Sequence, residues 1–185
     1  MPEQPKQPGG CVSYLGPKGS YPSLAAQALA PGARELPCGS FYAAAEALER
    51  GEADCAVLPV ENTLQGAVTQ NLDLLYSAPD LVAVREYLLK IEHRLIAKAG
   101  AKLSDIRRVF SHEQAILQCD KFIAQNLPEA KIVYTDSTMQ SVSRISEPGD
   151  AGIVGSHVCA EGLAFIGGNI ADEPKNFTHF LLVEK

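Results

Sequence analysis

Apolar and polar positions along the chain fall into a repeating pattern. Short runs rich in β-branched and other apolar residues are each followed by a polar cap and an amphipathic stretch. Residues 12–15 lead into GPKGSYPSLAAQAL, and CAVLPV (55–60) leads into ENTLQGAVTQNLDLL. Residues 108–110 lead into SHEQAILQCDKFIAQ, 131–135 into DSTMQSVSRIS and 152–155 into SHVCAEGL. Strand, loop and helix in this alternation predict an α/β fold with largely parallel strands. Three junctions, Asn62-x-x-Gln65, Ser111-x-x-Gln114 and Ser137-x-x-Gln140, carry the spacing of a helix capping box. In α/β sheets ligands sit beyond the carboxyl ends of the strands, where capped helix N-termini attract anions. Several such termini lined with Ser, Thr and Asn predict an anion-binding cleft built without a Lys/Arg patch.

The stretch LVAVREYLLKIEHRLIAK (81–98) alternates over a length that suits one extended strand passing between two halves of the chain. The run 162–180 supplies the return path. The resulting expectation is a flexible tail over 1–10, a first lobe over 11–88 rejoined by 175–185, and a second lobe over 89–174.

Composition narrows the function. The chain has 185 residues, 46% of them apolar and 21% charged, which is an ordinary globular composition. A formal charge of −6 argues against a sequence-independent nucleic-acid binder, which needs a basic face, but not against a small anionic ligand. Five cysteines without a close pair read as reduced thiols of a cytoplasmic protein. No apolar run approaches the roughly 18 residues of a membrane span, and MPEQPKQPGG lacks the apolar core of a signal peptide. Four dispersed histidines give no metal-ligand spacing. GPKGS is neither a dinucleotide nor a Walker loop, and no G-x-S-x-G elbow is present. The residues alone therefore describe a two-lobed α/β protein that takes a small carboxylate, as an enzyme or as a passive binding module.

YLGPKGSY, CAVLPVENTLQGAV, EHRLIA, FSHEQAILQC, DSTMQSV, AGIVGS and NFTHFLLV, in that order, resemble the prephenate dehydratase family over nearly the whole chain. The resemblance implies two α/β subdomains like those of a type II periplasmic binding protein, with the active site in the inter-lobe cleft. It implies decarboxylating dehydration of prephenate to phenylpyruvate, without cofactor or metal, by a homodimer or larger homo-oligomer. Carried over by position, the family's Thr-Arg-Phe motif falls on Thr178, His179 and Phe180, with Thr178 as donor to the departing hydroxyl. Its Glu-Asn-Ser segment falls on Glu61, a relay acid, and on Asn62 and Thr63, which contact substrate. Its Ser-His-Pro-Gln segment falls on Ser111, His112, Glu113 and Gln114, and its Ser-Thr pair on Ser137 and Thr138. Ser20, Asn176 and Phe180 complete the implied substrate-binding set.

Two departures stand out. His179 replaces the family's Arg, and strand alternation predicts that it points away from Thr178. The chain also stops where many members continue into a phenylalanine-binding ACT domain, so it reads as trimmed or as free of that feedback. Arogenate dehydratase and a non-aromatising prephenate decarboxylase are the alternatives within the same chemistry. Outside it stands a non-catalytic module that binds small carboxylates.

Overall fold

Strand β1 (Cys11–Leu15) is apolar and almost wholly buried, as a strand covered on both faces must be. The computed structural model describes residues 10–185, so the expected tail lies, Gly10 apart, outside the described residues. After β1 come α1 (Tyr21–Leu29), β2 (Arg34–Cys38), α2 (Phe41–Glu49), β3 (Cys55–Asn62), β4 (Gly66–Ala67), α3 (Thr69–Ser77) and β5 (Val82–Lys90). The chain continues through β6 (His93–Lys98), β7 (Arg108–Ser111), α4 (Glu113–Leu117), α5 (Asp120–Asn126) and β8 (Lys131–Tyr134). It closes with α6 (Thr138–Arg144), β9 (Asp150–Gly155), β10 (Leu163–Ile166) and β11 (Phe177–Glu184).

These elements form two α/β units, one of residues 1–90 with 177–185 and one of 91–176. The sheet of the first unit runs β2-β1-β3-β11-β5, with β4 paired to β3 beside that path. Here β1, β2 and β3 are parallel, whereas β11 is antiparallel to both neighbours. The second sheet runs β10-β6-β9-β7-β8, with β7, β8 and β9 parallel and β6 and β10 antiparallel. Each sheet is thus mixed rather than largely parallel, because the crossing strands β5 and β6 and the return strand β11 pair antiparallel.

Helices pack on both faces of each sheet. In the first unit Val12, Tyr14, Val57, Phe180 and Leu182 pack on Ala25, Ala26 and Leu29 of α1. Ala56, Leu58 and Val183 face Leu48 of α2 and Leu74 and Leu75 of α3. In the second unit Val109 and Ile153 pack with Ile116 and Ile123, while Ile96 and Val154 pack with Ile145, Met139 and Val142.

Several local expectations change. Residues 81–98 form two strands broken at Ile91 and Glu92, one in each sheet. SHEQAILQCDKFIAQ splits at Gln118, whose carbonyl accepts the N–H of Asp172, while Asp172 Oδ2 takes the N–H of Lys121. SHVCAEGL forms turns rather than a helix, with Gly162 at φ 73° entering β10. Of the three capping signatures only Ser137 caps as expected, its hydroxyl accepting from Gln140 N at 3.1 Å.

Candidate active site

Asn62 ends β3 with its amide used at every corner. Oδ1 accepts the N–H of Leu64 at 3.0 Å and of Gln65 at 3.1 Å, an Asx turn that reverses the chain into β4. Nδ2 donates to the carbonyl of Phe177 at 3.1 Å and to Thr178 Oγ1 at 2.9 Å. The Asn62-x-x-Gln65 spacing therefore marks a hairpin turn and not a helix start, because both motifs aim a side-chain oxygen at backbone N–H groups downstream. Two N–H bonds and two accepted bonds fill the amide, and Asn62 is 8% exposed. This corrects its expected direct contact with substrate: it holds and polarises Thr178.

Thr63, though exposed, spends its hydroxyl proton within the protein. Its hydroxyl donates to Phe177 O and accepts from Phe177 N, both at 3.1 Å, so it clamps β11 to β3. Thr178 is half-buried, and among the described residues its hydroxyl accepts from Asn62 while its own proton is engaged by no protein acceptor. A hydroxyl that accepts a hydrogen bond becomes a stronger donor. The arrangement presents one polarised O–H at the edge of the sheet where β3 ends and β11 begins.

The register beside this pair is irregular. Leu182 lies opposite Val57 and Phe180 opposite Pro59, but His179 lies opposite Glu61 and Thr178 opposite Asn62. Val60 is the extra residue, a β-bulge on β3. Cross-strand partners share a face, so Asn62 stands on the face of Thr178 and Glu61 on that of His179. Glu61 therefore stands across the sheet from Thr178, with no side-chain bond to it among the described residues.

His179 Nε2 meets Glu86 Oε2 of β5 at 2.9 Å, on the face of Leu181 and Val183. Phe180 is 2% exposed within the α1-side core, so it packs the fold and does not face substrate. Ser20 caps α1, donating to Leu15 O at 3.2 Å and accepting from Ser23 N at 3.4 Å. Beneath that loop Glu35 accepts from the hydroxyls of Tyr14 and Ser23 and from Gln27. Burial alone would raise the Glu35 pKa, but the bonds from Tyr14, Gln27 and Ser23 together hold it below the usual value. Burial and the Glu35 carboxylate push the Tyr14 phenol up to about 12.

In the second unit, Ser111 is fully buried and its hydroxyl donates to Ile153 O at 2.7 Å. It ends β7 inside the sheet, one residue before the helix cap. His112 takes the cap instead, Nδ1 accepting from Gln114 N at 3.3 Å, which leaves the exposed Nε2 as the protonated nitrogen of the neutral ring. The exposed Gln114 and the half-buried Ser137 and Thr138 stand at the same sheet edge, on the segments that follow β7 and β8. These four are the expected site residues of this unit that keep polar groups open to a carboxylate. Asn176 is corrected: it is 1% exposed, with Nδ2 bonded to Gln118 Oε1 at 3.3 Å and its carbonyl bonded to Ile91 N. Gln118, which pattern reading passed over, also takes His93 Nε2 at 2.7 Å. Burial lowers the His93 pKa and favours the neutral ring that donates there.

Among the described residues no group of three or more His, Cys, Asp and Glu could hold a metal ion, and no helix is long and apolar enough to cross a membrane. The prephenate dehydratase family model matches residues 12–185. Arogenate dehydratase 2 of Petunia hybrida is 38% identical over 94% of this chain and 44% of its own length. The chain spans about half the length of the curated relatives it matches. A prephenate dehydratase from Arthrobacter aurescens, solved with L-Phe, superposes with TM-score 0.83 at 34% identity, over 95% of this chain and 60% of that one. The substrate-binding domain of a putative molybdenum ABC transporter from Clostridium difficile shares the fold alone, with TM-score 0.51 at 12% identity over 95% of this chain and 84% of that one. With its motifs in order and its family match running from the first strand to the last residue, the chain belongs to the prephenate dehydratase family.

Proposed function

We propose that this chain catalyses decarboxylating dehydration of prephenate to phenylpyruvate, a carbon–oxygen lyase step of phenylalanine biosynthesis. The observation that carries this reading is the Thr178 hydroxyl, polarised by Asn62 at 2.9 Å with its proton left to donate. As the ring carboxylate leaves as carbon dioxide, the electrons of the broken C–C bond enter the ring and the C–O bond to the ring hydroxyl breaks. The departing oxygen gains charge, and the Thr178 O–H bond to it strengthens. Asn62 Nδ2 stabilises any charge passed to Thr178 Oγ1, and the proton that completes the water molecule comes ultimately from solvent. Aromatisation supplies most of the driving force, so the protein's task is placement and preorganised donors.

The likeness to an arogenate dehydratase supports L-arogenate as a second substrate, with an amine in place of the keto group. We place the enzyme in the cytoplasm, working without a cofactor. The exposed Val82, Val84 and Leu88 of β5, the last strand of its sheet among the described residues, support self-association. The test is incubation of the protein with prephenate and with L-arogenate, following phenylpyruvate and phenylalanine. Parent protein forms aromatic product and Thr178→Ala loses about 10²–10³-fold in kcat. Failure of the parent on both substrates overturns the reading.

A further inference from the structure

Asn71, on the third residue of α3, is 0% exposed. A fully buried amide is costly unless its bonds are made. Its Nδ2 donates to the carbonyl of Pro59 at 2.7 Å, but its Oδ1 has no partner among the described residues. One bond, and not general satisfaction, therefore accounts for an amide at this place. Pro59 is the residue before the bulged Val60, and Val60 O accepts the N–H of Val68, the residue before α3. The start of α3 thus grips both carbonyls that flank the Pro59–Val60 step.

The bulge decides which side chain stands beside Thr178. If the register that pairs Leu182 with Val57 and Phe180 with Pro59 ran on unbroken, Thr178 would lie opposite Glu61 and Phe177 opposite Asn62. A one-residue slip moves every side chain beyond it to the other face. With the bulge, a neutral amide donor meets the Thr178 hydroxyl. Without it, a carboxylate would meet it, accept the threonine proton and turn the O–H away from substrate.

We infer that Asn71 is a positioning residue for the reaction, holding the Pro59 carbonyl so that the Val60 bulge delivers Asn62, and not Glu61, to Thr178. The inference rests on the proposed dehydratase reading for its kinetic consequence, but not for its geometry.

The experiment compares Asn71→Val with Asn71→Thr, near-isosteres of which only threonine can donate to Pro59. Asn71→Val is expected to lower kcat on prephenate about tenfold or more with KM within about threefold. Asn71→Thr recovers most of the loss. Nuclear Overhauser contacts between the Asn62 side-chain amide and the Thr178 methyl group, present in the parent, disappear in Asn71→Val. That readout stands even if the parent turns over no substrate, which separates failure of this inference from failure of the functional reading. Should Asn71→Val not fold, Asn71→Asp replaces it, because its carboxyl donates only when protonated. Its kcat then falls as that carboxyl ionises, over a pH range in which the parent is flat. A folded Asn71→Val that keeps both the contact and the parental kcat overturns the inference, as does a flat profile in Asn71→Asp.

Discussion

His179 Nε2 lies 2.9 Å from Glu86 Oε2, on the face of β11 that Thr178 does not share. The imidazole that stands where the family carries Arg therefore ties β11 to its edge neighbour β5. Glu86 is well exposed, so the pair is worth about 0–1 kcal/mol. His179→Ala should lower thermal stability slightly and change kcat by less than about threefold. His179→Arg, which can keep the pair, should match the parent. Steady-state kinetics and thermal melts check both. A loss in kcat beyond about a hundredfold with an unchanged melt would place His179 in the chemistry after all.

Asn62→Asp should be more harmful than its size suggests. A carboxylate at that position accepts the Thr178 proton and cannot donate to Oγ1, so the hydroxyl is reversed. The expected loss in kcat is about 10²-fold or more, with a smaller change in KM. Thr178→Ser keeps the hydroxyl and should retain far more activity than Thr178→Ala. Equal kcat for Asn62→Asp and the parent would remove Asn62 from the mechanism.

Acid should unfold the second unit through Asp150. This carboxylate is buried at 1% side-chain exposure and takes Arg108 Nε at 2.7 Å, Arg108 Nη2 at 3.0 Å and the N–H groups of Ser146 and Glu147. Burial alone would raise its pKa, but the Glu147 N–H, Arg108 and the Ser146 N–H together hold it below the ordinary value. A depressed carboxylate binds fewer protons folded than unfolded. Its stabilisation is complete above the unfolded pKa of about 3.9 and is lost as pH falls through the lower folded value. Asp150→Asn should cost about 1–3 kcal/mol at neutral pH, since the half-exposed Arg108 keeps its water, and flatten the acid limb of stability against pH. Urea titrations at several pH values measure both.

The five cysteines should separate by reagent access. Cys159 is exposed, whereas burial pushes the thiols of Cys55 and Cys119 up to about 11 and about 12. Burial raises Cys11 and the half-buried Cys38 as well. A chromogenic disulfide reagent should titrate one fast thiol in the native protein and the rest on unfolding. Blocking Cys159 should leave catalysis intact.

The strand starts were legible because buried parallel strands write themselves as short apolar runs, as in CAVLPV and 108–110. The break between β5 and β6 was not, since Ile91 and Glu92 continue the alternation and neither Gly nor Pro marks the turn. Residue type pointed to Ser111, Asn176 and Phe180, but type does not say whether a group faces out or in, and all three are spent inside the protein. The bulge carried a signal that pattern reading did not use. Pro59 sits in a strand with partners on both sides, where proline signals a bulge because it has no N–H to give. Asn71 had one too, a polar residue at helical spacing between Val68 and Leu75. Reading both would have put Asn62, and not Glu61, beside Thr178.

The place of β11 in its sheet also sets the order in which the protein can fold on the ribosome. Among the described residues strand β5 pairs only with β11, and β11 sits between β5 and β3, yet it is made after every residue of the second unit. The second unit is one unbroken stretch and can close while synthesis continues. The first must hold β5 without a neighbour until residues 177–184 emerge, so the Thr178 hydroxyl reaches Asn62 in the same step that completes its sheet.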